Sequence, residues 1–123
     1  MIEYFTGDMF KLNVEALVNT VNLKGVMGAG IAKQCKELYP ENFKAYKKWC
    51  DGKDIALHGY PDIGRLFIFW EKNKYIVNFP TKRDWRYPSI QNYILEGLDV
   101  LNEAIDAYRW KSIVIVPNFN ENQ

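Results

Sequence analysis

The sequence predicts an α/β fold, a sheet with helices on both of its faces. Three observations lead there. Segments of strand and helix character follow one another in the order β-β-α-α-β-β-α-β. A run such as Ala16-Leu17-Val18 carries no polar alternation, which suits a strand covered on both sides. The chain has 123 residues, 48% of them hydrophobic and 15% aromatic, enough for one domain with a packed core.

Each element has its own signal. Ile2-Glu3-Tyr4-Phe5 reads as a short strand that Thr6-Gly7-Asp8 stops. Asn13 to Thr20 reads as a second strand, and the stretch from Asn19 to Gly30 breaks it. Ile31 to Tyr39 is helical by spacing, with Ile31, Cys35 and Leu38 on one face. Pro40 ends that helix and starts the next, whose stripe is Phe43, Tyr46, Trp49 and Cys50. Lys44, Lys47 and Lys48 line its other side, as a solvated face or as a means of steering a polyanion. Asp51 to Gly64, rich in glycine and aspartate, reads as a loop. Leu66 to Trp70 and Tyr75 to Phe79 read as strands joined through Glu71 to Lys74 in a hairpin. Pro80 to Pro88 is a loop holding Lys82, Arg83, Arg86, Trp85 and Tyr87. Ser89 is placed to cap a long helix on which Ile90, Ile94, Leu98, Leu101, Ile105 and Tyr108 recur at helical spacing. Ser112 to Val116 is the last strand, Pro117 ends it, and residues 118–123 form a polar tail.

Composition removes several function classes. Sixteen basic and fifteen acidic residues give a net charge of +1, so the whole-protein field offers no reason to expect duplex nucleic acid. Cys35 and Cys50 lack any metal-ligand spacing and read as two thiols in a reducing compartment, a disulfide being the alternative. His58 is the only histidine, so no multi-histidine metal site can form, and it reads as a solvated loop residue. No apolar run or leader pattern points to a membrane, and the expected setting is the cytoplasm.

The chemistry concentrates at Val18 to Ala32. Gly28-Ala29-Gly30 leads straight into a helix whose free N–H groups and dipole suit an anion. The spacing Gly25-x-x-Gly28-x-Gly30 is neither a dinucleotide fingerprint nor a P-loop, so a tight turn that packs helix on sheet is the competing reading. Asn19 and Asn22, at the exit of a buried strand, must meet either turn backbone or a polar ligand. Asp8 either closes its own turn or accepts from a ligand amino group. Lys82 alone reads as a surface lysine; as a nucleophile it needs a lowered pKa, which desolvation or inward-pointing Arg83 and Arg86 would supply. Arg83, Trp85, Arg86 and Tyr87 join cations to stacking faces, a combination that suits single-stranded nucleic acid.

Three segments in this order resemble the macrodomain signature: Gly7-Asp8-Met9, then Glu15-Ala16-Leu17-Val18-Asn19-Thr20-Val21-Asn22, then Gly25-Val26-Met27-Gly28-Ala29-Gly30-Ile31-Ala32. With Asn78-Phe79-Pro80-Thr81-Lys82 and Trp85, the chain is most similar to the DNA ADP-ribosyl glycohydrolase antitoxin (DarG) branch, to which the terminal ADP-ribose glycohydrolases are related. The resemblance implies a three-layer α/β/α fold on a central mixed sheet. It spans residues 1–117 and lacks the usual last helix-strand-helix. It implies an ADP-ribose cleft in which Asp8 accepts from adenine, and Gly28, Ala29, Gly30 and Ile31 hold the diphosphate. Lys82 and Asn22 would be the catalytic pair, Asn22 by positioning the distal ribose or its base. Met9, Asn19, Gly25, Val26, Met27, Pro80, Thr81, Pro117 and Asn118 would line the ligand. Arg83, Trp85 and Arg86 would contact nucleic acid. The Asn-Ala-Ala-Asn pattern of the hydrolytic branch is absent, and so are glycines after Val116. The implied activity is release of ADP-ribose from a nucleobase, thymine in single-stranded DNA, by a monomer without cofactor or metal. An ADP-ribose-binding module without turnover, and a hydrolase of small ADP-ribose derivatives such as the 1''-phosphate or O-acetyl ester, are the alternatives.

Overall fold

The computed structural model describes residues 7–87 and 90–115. The expected first strand, the Ser89 cap, Pro117, Asn118 and the polar tail therefore lie outside the described residues. Within them, a 3-10 turn (Met9–Lys11) precedes β1 (Ala16–Asn22), α1 (Gly30–Leu38) and α2 (Pro40–Cys50). The single-turn α3 (Ile55–His58), β2 (Phe67–Glu71), β3 (Lys74–Lys82), α4 (Gln91–Tyr108) and β4 (Ile113–Val114) follow. The sheet order is β2-β3-β1-β4. β1 runs parallel to β3 and to β4, and β2 is antiparallel to β3, so the sheet is mixed.

Alternation along the inner strands builds the three layers. Ala16 and Val18 of β1, with Val77 and Phe79 of β3, pack with Leu98, Leu101 and Ile105 of α4. Leu17 and Ile76 meet Cys35 and Tyr39, while Val21 meets Ala32, Tyr46 and Trp49 on the α1–α2 side. Both faces of β1 are thus covered, which is why every one of its residues is buried. Contact with α4 is close enough to require glycine. A Cβ on Gly97 would lie 2.4 Å from Cζ of Phe79, so the helix backbone rests on that ring. Cys35 and Cys50 are free thiols, the first buried and the second half-buried.

Three expectations need correction. β3 continues through Pro80 and Thr81 to Lys82, where the sequence predicts a loop from Pro80. β2 reaches only to Asn78, so Pro80 lies where β3 has one neighbour, a place that tolerates a residue without an N–H. Residues 51–64 contain α3, a turn too short to show a hydrophobic period. His58 belongs to it: Nδ1 lies 2.7 Å from Asp54, and the ring packs 4.8 Å from that of Phe67. The hairpin forms as expected, with Lys72 and Asn73 both at positive φ (53° and 60°), the geometry of a two-residue type I′ turn.

A buried amide network fixes β1, β2, β3 and α2 to one another. Asn78 Oδ1 accepts from Asn19 Nδ2 (3.1 Å) and Asn42 Nδ2 (3.2 Å). Asn78 Nδ2 donates to Asn42 Oδ1 (2.8 Å) and to the Phe67 carbonyl (2.9 Å). All three asparagines are fully buried. Replacing Asn78 leaves several of these groups without partners, at about 1–3 kcal/mol for each orphan. Asn78→Ala is expected to lower stability by about 3 kcal/mol or more, read from the urea midpoint at unchanged m-value.

Candidate functional site

β1 and β3 are parallel, so their carboxyl ends open at the same edge of the sheet, where α/β proteins place ligands. There Asn22 is the register partner of Lys82, after a shift between Val21 and Asn22. The Leu23 N–H donates to the Lys82 carbonyl (3.1 Å), carrying the pairing one residue past the strand. Lys82 is only 7% exposed. Burial pulls its ammonium below the ordinary lysine value. None of the ion pairs among the described residues includes it.

The two arginines do not supply that shift. Arg83 pairs with Asp62 (2.9 Å) and lies 5.5 Å from the Tyr93 ring. Arg86 is held by Asp84, whose Oδ1 accepts from the Arg86 backbone N–H (3.0 Å) and Nε (3.0 Å) and whose Oδ2 accepts from Nη2 (2.6 Å). The Arg86 side chain, then its backbone N–H, keeps Asp84 well below the usual carboxylate range. Of the two causes the sequence left open, desolvation or the neighbouring arginines, desolvation is the one that lowers Lys82.

The glycine turn is built by Asn22. Its Oδ1 accepts from the N–H groups of Lys24 (3.0 Å) and Val26 (3.3 Å), and its Nδ2 donates to the Val26 carbonyl (2.8 Å). The side chain is fully buried, so it organises the turn rather than presenting a free amide. Gly25, at φ +76°, brings that turn against α2, where a Cβ would sit 3.3 Å from the Lys47 backbone. Tyr46 of α2 closes the junction by donating to the Asn22 carbonyl (2.7 Å). The chain then enters α1 through Ala29 in extended conformation and Gly30 at φ +57°. No side chain caps this helix and no acidic residue sits in its first turn. Gly28, Ala29 and Gly30 are exposed and Ile31 is half-exposed, so the first-turn N–H groups and the positive end of the dipole remain for an anion. Val26, Gly28 and Ala29 share a cavity of about 360 Å³ with Trp85 from the loop after β3.

The expected site residues divide by exposure. Val26, Gly28, Ala29, Gly30, Ile31, Arg83, Trp85 and Arg86 reach the surface, as does Asp8. Asp8 Oδ1 closes the 3-10 turn by accepting from Phe10 N (2.9 Å). Met9, Asn19, Gly25, Met27, Pro80 and Thr81 are buried. Met9 joins Leu17 and Ile76 in the core, and Met27 packs beside Val21 and accepts weakly from Asn19 Nδ2 (3.8 Å). Sequence reasoning missed Asp84, the carboxylate that shapes the loop; an acidic residue two positions from Arg86 was its only trace. Among the described residues no group of His, Cys, Asp and Glu could hold a metal ion, and no helix is long and apolar enough to cross a membrane.

No protein-family model matches the chain. It is 42% identical over 121 residues to a protein of Thermus aquaticus named DNA ADP-ribosyl glycohydrolase, covering 95% of this chain and 32% of that one. The chain thus spans about a third of the length of the curated relatives it matches. The solved macrodomain of Mycobacterium tuberculosis DarG superposes with a TM-score of 0.83 at 44% identity, covering 92% of this chain and 73% of that structure. Thermosipho africanus DarTG, solved in complex with ADP-ribose, superposes with a TM-score of 0.75 at 26% identity, over 87% of this chain and 30% of that one. Shared sequence and shared fold across most of a solved DarG macrodomain mean that this chain belongs to the macrodomain family.

Proposed function

We propose that the chain binds ADP-ribose and removes it from a nucleobase in DNA, as an ADP-ribosyl glycohydrolase. The observation that carries this reading is the placement of a desolvated lysine, Lys82, at the strand ends that also bear the uncapped start of α1. The names of the Thermus aquaticus relative and of the Thermosipho africanus complex support the same substrate. The N–H groups of Gly28, Ala29, Gly30 and Ile31 receive the diphosphate, and Asp8 accepts from the adenine amino group. Asn22 holds the turn that shapes this cradle. Pro117 and Asn118 complete the expected lining and lie outside the described residues.

In this reading the neutral Lys82 amine attacks C1'' of the distal ribose. The C1''–N bond to the base breaks, and the base leaves with the bonding pair and takes the proton shed by the new C1''–N bond to lysine. Water then hydrolyses that linkage, which returns the free amine and ADP-ribose. Burial of Lys82 serves the first step because it disfavours the ammonium, which has no lone pair. The chain acts as a monomer, and single-stranded DNA, with thymine as the modified base, is the substrate.

A binding module without turnover is the second reading. It is favoured by the Asn22 side chain, whose amide holds the turn instead of facing a substrate.

Incubation with ADP-ribosylated single-stranded DNA, followed by assay of free ADP-ribose, separates the two. Lys82→Ala is expected to lose release by more than about 100-fold while binding ADP-ribose within a few-fold of the parent. Binding without release by the parent chain supports the module instead. The pH profile carries a sign. Only the unprotonated amine reacts, so the rate rises with pH through the Lys82 pKa and then levels. Because burial lowers that pKa, the rise is expected at a pH below the ordinary lysine value of 10.5.

A further inference from the structure

We propose that Trp85 is the stacking wall for the nucleobase that carries the ADP-ribose, so that DNA is recognised by one stacked base rather than by its phosphates. This rests on the reading that ADP-ribose occupies the cradle at the start of α1.

Four observations meet here. Trp85 lines the cavity with Val26, Gly28 and Ala29, yet folding leaves it 54% exposed. A large aromatic left half bare on a cavity wall is a binding feature more often than a packing one. Its mount is rigid. Asp84 accepts three bonds from Arg86, and the Tyr87 N–H donates to the Asp84 carbonyl (3.2 Å), so Trp85 sits near the tip of a closed four-residue turn. The Arg86 guanidinium lies 5.8 Å from the ring centroid, which restrains the indole further. Trp85 is also three residues beyond Lys82. The base departs from the carbon that Lys82 attacks, so a planar leaving group lies next to this loop.

Charge decides between stacking and phosphate contact. Arg83 and Arg86, the two cations flanking Trp85, are each paired with an aspartate, Asp62 and Asp84. Their charge is thus already compensated, which weakens their pull on a phosphate. The net charge of +1 supplies no general attraction for a polyanion. Stacking needs neither, and it tolerates any base.

The test uses the Lys82→Ala chain, so that substrate survives. Calorimetry gives Kd for free ADP-ribose and for a single-stranded oligonucleotide bearing ADP-ribose on one base. The oligonucleotide is expected to bind more tightly than ADP-ribose. Adding Trp85→Ala removes that advantage, by roughly 10-fold, and leaves free ADP-ribose within about twofold. Trp85→Phe retains most of it, and Arg83→Gln changes it little. Raising salt from about 50 to 200 mM reduces the advantage by less than about threefold, the effect of at most one phosphate contact. An equal loss for free ADP-ribose in Trp85→Ala would assign the ring to the ADP-ribose site itself and overturn the proposal. So would an unchanged advantage, or a steep salt dependence that Arg83→Gln abolishes. Failure of the parent chain to bind free ADP-ribose would instead overturn the reading beneath it.

Discussion

The pairing of β1 with β3 is the constraint on which the site depends. Two parallel strands must end at the same edge of the sheet, and here those ends carry Asn22 and Lys82 as register partners. One side chain folds the glycine turn that leads into α1, and the other stands desolvated beside it. The register shift after Val21 leaves Thr81 as an extra residue in β3, a bulge that brings Lys82 rather than Thr81 opposite Asn22. A slip of the pairing would separate the lysine from the helix start and exchange the residues that β1 offers to α4 and to the α1–α2 layer.

Much of the polar structure serves to hold that pairing still. The Asn19–Asn78–Asn42 network ties both inner strands to α2, and the Phe67 carbonyl ties in β2. Buried amides of this kind give less stability than apolar packing but tolerate few alternative arrangements, because each mismatch leaves a group unpaired. The loop after β3 follows the same pattern at the surface. Arg83 reaches Asp62 and Arg86 closes on Asp84, which fixes where Trp85 stands. Exposed ion pairs contribute little to stability, so their consequence here is conformational.

What could be read from the sequence followed local rules. The apolar run of β1, the Lys72-Asn73 turn and the period of α4 are each written in adjacent residues, and each appears in place. Pro80 misled because proline usually ends a strand, and the sequence does not state that β2 stops at Asn78. The role of Asn78 was hidden for the same reason, since its partners Asn19 and Asn42 lie 59 and 36 residues away. Asn22 was legible as a residue needing partners, but only the structure chose the turn backbone. Met9 and Met27 stood beside exposed glycines and aspartate in sequence, and strand and turn geometry sent their side chains into the core. The cradle was legible in the glycine turn that leads into a helix, Lys82 was singled out only through motif resemblance, and their shared edge is a property of the sheet.

In the proposed function the start of α1 and the end of β3 form one ADP-ribose cleft. Titration of the isotopically labelled chain with ADP-ribose, followed by backbone and indole N–H resonances, tests it most directly. Saturable shifts that move together at Gly28, Ala29, Gly30, Ile31 and Lys82 are expected. Shifts confined to another part of the fold, or no shifts at millimolar ADP-ribose, would contradict it.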